Sequence, residues 1–378
     1  MEWHPDLYGG AWLLHRYSDV EWGLRSPLLS ARRTGGWVKR LEDRQRRLSR
    51  FQALFSRALL FLDEPEHGPL RDLLALGFSA EAMAGLRPQI HQLVEDAVIG
   101  LPEAGPFDLV SQLAQDIPIR VMSALLGLPI EPNPALREAS DAIAEFIGSP
   151  SPTEEIALAA QEATLLLANL FSRPERLEPS GFAARLMKTE PTRSDPLNLT
   201  AQLVMLLFAG HETTRALITN SVWAVVSRPA LWQEFVSGRL EAAALVKEVL
   251  RLDGPVQMTG RRVKHDMQLD GRSLHSADLV LLHLGRANRD PERFLRPDEF
   301  WPQRAEGVGL AFGSGPHMCI GAALTRMEAI AVLEALRTHR PGLRLVPSQV
   351  NGAASSRSAN PVYSSFKRLM CTTEPATL

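Results

Sequence analysis

Apolar positions recur at helical spacing over most of this chain. Segments 79–100, 111–127, 153–171, about 200–226 and 240–252 carry hydrophobic residues three and four apart with periodic polar interruptions, and each predicts a helix. A further helix is predicted after Cys319, where Ile320, Ala323, Met327, Ile330 and Leu333 fall on one face. Strand patterns are sparse. They are confined to "WLLHRY" at 12–17 and "RRVKHDMQLDGRSLHSADLVLLHL" at 261–284, in which Asp270 and Gly271 form a hairpin-turn pair. Residues 288–318 are punctuated by Pro and Gly yet keep their aromatic side chains, the composition of a long functional loop that stays ordered.

The pattern predicts a mainly α protein with a smaller β-rich region. No repeat, long Gly/Ser linker or break in pattern divides it, so residues 1–378 are expected to form one large domain. With 45% hydrophobic residues the chain can bury a sizeable core. Forty-one Lys and Arg against 43 Asp and Glu leave a formal charge of −2, so no global field draws the protein to nucleic acid or a membrane surface. The N-terminal region lacks the basic-then-apolar order of a signal peptide. The longest apolar run, "LVMLLFAG", is far short of the ~18–20 residues of a membrane span, and a cytoplasmic location is expected. Two cysteines, Cys319 and Cys371, are too few for a disulfide framework, and nothing gives Cys371 a role.

Cys319 sits in "FGSGPHMCIG" at or just before a predicted helix N-terminus, where free amide N–H groups and the helix dipole favour a thiolate. Gly313, Gly315 and Gly321 would let the backbone approach a flat, bulky partner. A cysteine packed in a core beside a glycine turn fits the same residues. Zinc is disfavoured because no second Cys or His stands at ligand spacing beyond the lone His317, and no local signature supports a thiol protease. These residues alone leave the choice open.

The segment resembles the heme-binding signature of the cytochrome P450 family, Phe-Gly-x-Gly-x-His/Arg-x-Cys-x-Gly, matched by Phe312, Gly313, Gly315, His317, Cys319 and Gly321. The resemblance implies the P450 fold, heme b with Cys319 as the proximal iron ligand, and His317 at a heme propionate. Five other stretches match the family. "HGPLR" implies propionate contacts from His67 and Arg71. "AGHETT" resembles the distal motif, which implies that Ala209 and Gly210 leave space for O2 and that Glu212 and Thr213 form an acid–alcohol pair delivering protons. "EVLR" supplies Glu248 and Arg251, and "FWPQR" supplies Arg304, as a structural trio. "RRVKHD" places Arg261, rather than Arg262, five before Asp266 as a propionate ligand. One departure is Gly309, where the family often has histidine.

The implied activity is that of a heme-thiolate monooxygenase, with O2 as co-substrate and electrons from a separate ferredoxin and ferredoxin reductase. Hydroxylation of a small molecule in secondary metabolism is the expected reaction. A non-catalytic heme sensor or carrier explains Cys319 but not Glu212 and Thr213, and a peroxide-driven peroxygenase is a second alternative. Residues 32–51 carry eight Lys/Arg against two acids. This is the composition of a solvated helix face, or of a stretch that steers an anionic or carrier-tethered substrate.

Overall fold

The computed structural model describes residues 1–33, 53–131, 133–149, 152–173, 175, 177–189, 195–347 and 356–373. Helices α1 (Tyr17–Arg25), α2 (His67–Ala75), α3 (Ala80–Ile99), α4 (Asp116–Leu126), α5 (Pro134–Gly148), α6 (Glu154–Phe171), α7 (Phe182–Leu186), α8 (Pro196–Val226), α9 (Pro229–Val236), α10 (Ala242–Asp253), α11 (Leu284–Ala287) and α12 (Ala322–His339) build its larger part.

Helix α8 is the axis of that part. Asp195 caps it by accepting from the Asn198 N–H at 3.0 Å, and Pro196 occupies the first turn, where a missing N–H costs nothing. Its 31 residues are apolar on nearly every side, as expected of a helix packed all round, and α4, α5, α6, α9, α10 and α12 surround it. Gly210 sits in its middle and faces α4. A Cβ there would lie 2.5 Å from Met122 Sδ, so the glycine permits the close crossing of α4 and α8.

The β-rich part joins both ends of the chain. Strands β1 (Glu2–His4), β2 (Ala11–Leu14), β3 (Leu29–Ser30), β5 (Thr259–Val263) and β8 (Leu279–Leu282) form one sheet in the order β1-β2-β8-β5-β3, antiparallel except for β2 with β8. Strands β4 (Gly105–Asp108), β9 (Leu343–Leu345) and β10 (Met370–Thr373) form a second sheet. Strands β6 (Met267–Leu269) and β7 (Arg272–Leu274) are the predicted hairpin, turning at Asp270 (φ 50°) and Gly271 (φ 70°), the positive values that a two-residue hairpin turn requires.

Two boundaries differ from the sequence expectation. The "WLLHRY" strand stops at Leu14, because the Tyr17 N–H donates to Asp290 Oδ2 at 2.7 Å and starts α1. The helix expected after Cys319 begins at Ala322, so Cys319 lies just before it in a loop, as expected, and Ile320, placed on its apolar face, precedes it too.

Candidate active site

A cavity of about 250 Å³ lies between α8, α2, strand β5 and the loop leading into α12. Among its lining residues are His67, Arg71, Ala209, Thr213, Arg261, Phe312, Gly313, His317 and Cys319, brought from four separate stretches of sequence. The remaining lining is mainly apolar, with Leu59, Leu60, Met205, Leu206, Leu250 and Val256 among it.

Cys319 is held by its own N–H, which donates to the Phe312 carbonyl at 2.9 Å and closes the loop. Arg71 donates to the Met318 carbonyl at 2.6 Å, tying that loop to α2. The Cys319 side chain is accessible although protein surrounds it, because it opens onto the cavity. Burial pushes its thiol pKa up, outweighing the Gly321 N–H and the charges of Arg71 and Arg326, which pull it down. A thiolate there calls for a further cationic partner, such as a metal.

Groups that bind anions gather on one side. The His67 and His317 rings lie 4.1 Å apart. His67 is 1% exposed, and its Nε2 has no hydrogen-bond partner, while Nδ1 lies 3.6 Å from Glu64. Arg261 is 4% exposed and, among the described residues, donates only to the adjacent Gly260 carbonyl, at 2.9 Å. Its neighbour Arg262 turns away and donates to Ala277. Burial, then the charges of Arg261, His67 and Arg33, brings the His317 pKa to about 3. Burial also lowers Arg261, to about 10. Buried cations and an orphaned imidazole nitrogen beside a lone sulfur are the donor set that a dianionic, thiolate-ligated heme would satisfy, so the residues present fit the group.

The distal segment differs from the expectation in two respects. Gly210 is not among the residues lining the cavity, and its missing Cβ faces Met122, whereas Ala209 is on the cavity wall. Glu212 opens onto a second cavity of about 490 Å³, together with Gln115, Asp141, Arg215 and Asn360. There Glu212 Oε2 accepts from Arg215 at 2.6 Å, and Arg215 lies 3.8 Å from Asp141. Burial raises the Glu212 pKa, and Arg215 opposes the rise. Thr213 faces the first cavity and donates back to the Ala209 carbonyl at 2.8 Å.

Gly315 and Gly321 lie outside the cavity lining. A Cβ on Gly315 (φ 72°) would come within 2.9 Å of Arg25 Cγ, so that glycine serves the contact with α1. Glu248, Arg251 and Arg304 meet as one fully buried cluster. Arg251 donates to both carboxylate oxygens at 3.0 and 2.7 Å, and Arg304 and the Trp301 N–H each donate to Oε1 at 3.0 Å. Arg251 also donates to the carbonyls of Asn288, Pro297 and Glu299, which pins the long loop upstream of Cys319.

Sequence reasoning missed Thr325, which lines the cavity from α12, and whose hydroxyl lies 3.0 Å from that of Thr214. It also missed Arg215. The three-residue spacing from Glu212 on a predicted helix was the available signal.

Comparison with known proteins agrees with this site. The family model for Cytochrome P450 matches residues 242–337. The Vitamin D(3) 25-hydroxylase of Pseudonocardia autotrophica is 32% identical over 346 residues, 90% of this chain and 83% of that one. Among solved structures, the tirandamycin C-bound P450 monooxygenase TamI superposes with a TM-score of 0.83 at 28% identity, covering 98% of this chain and 92% of that one. The myxobacterial cytochrome P450 CYP267B1 in complex with myristic acid gives a TM-score of 0.84 at 28% identity, with the same coverage. The fold and the lone-thiol cavity are those of a heme-dependent oxidoreductase. The chain belongs to the cytochrome P450 family, in its bacterial form. It is a monooxygenase that uses heme, with O2 as co-substrate. Among the described residues, no helix is long and apolar enough to cross a membrane.

Proposed function

We propose that this P450 inserts one oxygen atom of O2 into a small, largely apolar natural-product-like molecule, most simply as a hydroxylation, in the cytoplasm. Electrons come from a separate ferredoxin and its reductase. The observation that carries the reading is one cavity with the Cys319 thiol and the Thr213 hydroxyl both on its wall and an apolar remainder for substrate. The relatives support the substrate class, one being named for vitamin D(3) hydroxylation and another solved with tirandamycin C.

A bound thiolate-ligated heme supplies reductive activation of O2. The protein's own residues do the rest. In this reading Cys319 holds the iron, His67, Arg71, Arg261 and His317 hold the propionates, and Phe312, Gly313 and Gly321 shape the ligand loop. Ala209, on the cavity wall, would leave room for O2. Thr213 presents a proton at Oγ1 once its bond to Ala209 is exchanged, and Glu212, held by Arg215 in the second cavity, passes protons toward it. Glu248, Arg251 and Arg304 hold the ligand loop in place. Because β2 pairs with β8, and β4 with β10, across most of the sequence, residues 1–378 are read as one domain.

Reconstitution with a ferredoxin, its reductase, NADPH and a panel of terpenoid and polyketide compounds tests the reading. Product carrying one atom from isotopically labelled O2 is the expected result. Heme binding without substrate-dependent NADPH consumption would assign the protein to the sensor or carrier class. Turnover supported by peroxide alone would assign it to the peroxygenases.

A further inference from the structure

Arg261 and Arg33, the latter a few residues beyond β3, make no ion pair with a carboxylate among the described residues, although Asp63 lies near enough for Arg261 to feel its charge. Most of the basic run at 32–51 lies outside the described residues, but Arg33 lies within them. Its Nη1 donates to the Gly260 carbonyl at 3.2 Å, and the guanidinium lies 4.7 Å over the Phe61 ring. Its Cδ comes within 3.2 Å of where a Gly260 Cβ would stand. The neighbours that feel its charge are Arg261, Arg262 and His317 and two phenols, Tyr363 and Tyr8. Burial lowers its pKa to about 9. By accessible surface the side chain is partly buried.

Arg33 approaches β5 from the face opposite the heme ligands proposed above, although two of them, Arg261 and His317, feel its charge. Along β5, Thr259 and Arg261 point into the Cys319 cavity, and Gly260 between them faces the other side of the sheet, where Arg33 lies. Tyr363 links the two sides. It is 8% exposed, and its backbone bridges Val256, a wall residue of the cavity. An interior guanidinium with no counter-ion is costly, and an incoming anion that both hydrogen-bonds and neutralises it offsets that cost.

We infer that Arg33, with the Tyr363 hydroxyl, receives the carboxylate of an anionic substrate whose apolar body occupies the Cys319 cavity. The inference rests on the monooxygenase reading and adds the substrate's charge and the residue that recognises it.

The test uses the heme-loaded full chain and matched pairs of probes: myristic acid with methyl myristate, and a diterpene acid with its methyl ester. Each is titrated by the spin-state change of the ferric heme at low salt. The acids should bind roughly tenfold or more tightly than the esters. Arg33→Gln should abolish that preference while leaving ester affinity unchanged, and Arg33→Lys should restore part of it. Equal binding of acid and ester, no response to either acid, or a preference that survives Arg33→Gln each overturns the inference. Heme content, measured alongside, separates the other source of a carboxylate. If Arg33→Gln loses heme while its circular dichroism stays native, the group Arg33 serves is a propionate and the substrate assignment is wrong. Failure of the monooxygenase reading shows differently, as no labelled oxygen in product from any substrate.

Discussion

Glu212 and Thr213 are adjacent in sequence yet face different spaces. The Thr213 hydroxyl is on the wall of the Cys319 cavity, and the Glu212 carboxylate lies 2.6 Å from Arg215 in a second cavity across the helix. Neighbours on a helix point about 100° apart, so the pair can serve as a relay from one side of α8 to the other but cannot act at one point. Thr213→Ala should leave substrate affinity within about twofold and lower product per NADPH by roughly tenfold or more, with peroxide making up the difference. Stoichiometry of NADPH, product and peroxide measures it, and an unchanged ratio removes Thr213 from proton delivery.

Gly210 lets α8 pack closely against Met122 of α4. Gly210→Ala should cost about 1–3 kcal/mol in urea unfolding, because the new methyl meets Met122 Sδ at 2.5 Å. The cost should shrink in a Met122→Ala background, where the opposing side chain is gone. Additivity of the two substitutions would contradict the contact.

The Glu248 cluster and the surface pair Arg296–Glu299 make a controlled comparison. Glu248→Ala leaves Arg251 and Arg304 buried without their carboxylate and should cost about 3–5 kcal/mol. Arg296→Ala removes an exposed pair at 3.3 Å and should change stability by less than about 1 kcal/mol. Chemical denaturation of both variants checks the ratio.

His211 gives a pH dependence with a definite sign. It is fully buried, and desolvation with the charge of Arg215 holds its pKa at about 3, against about 6.5 in an unfolded chain. Its Nε2 lies 3.2 Å from the Gln115 carbonyl, and Nδ1 has no partner. Between those two pKa values the unfolded chain binds the extra proton, so this contribution is complete above pH ~6.5 and is lost as pH falls. The limiting slope is about 1.4 kcal/mol per pH unit, or about 2 kcal/mol between pH 6.5 and 5. His211→Asn should flatten the acid side of the stability curve, and an identical slope in the variant would rule His211 out as its source.

Much of this was legible in the sequence because the signals were local. Helical periodicity located α3, α6, α8 and α10, and the Asp270–Gly271 turn located β6 and β7. The motif matches nominated His67, Arg71, Thr213, Arg261, His317 and Cys319, which the fold gathers around one cavity. What escaped depends on contacts between distant segments. That Gly210 accommodates Met122, that Glu212 turns toward Asp141 and Arg215, and that Thr325 meets Thr214 follow from how α8 is rotated against α4, α5 and α12. No single-chain periodicity fixes that rotation in a helix that is apolar on nearly every side.

The central claim is that Cys319 ligates the iron of a P450. The direct measurement is the absorbance of the reduced, carbon monoxide-bound protein, wild type beside Cys319→Ser. The account predicts that the wild type shows the long-wavelength band for which the family is named and that Cys319→Ser lacks it. The same band in both proteins would contradict the assignment.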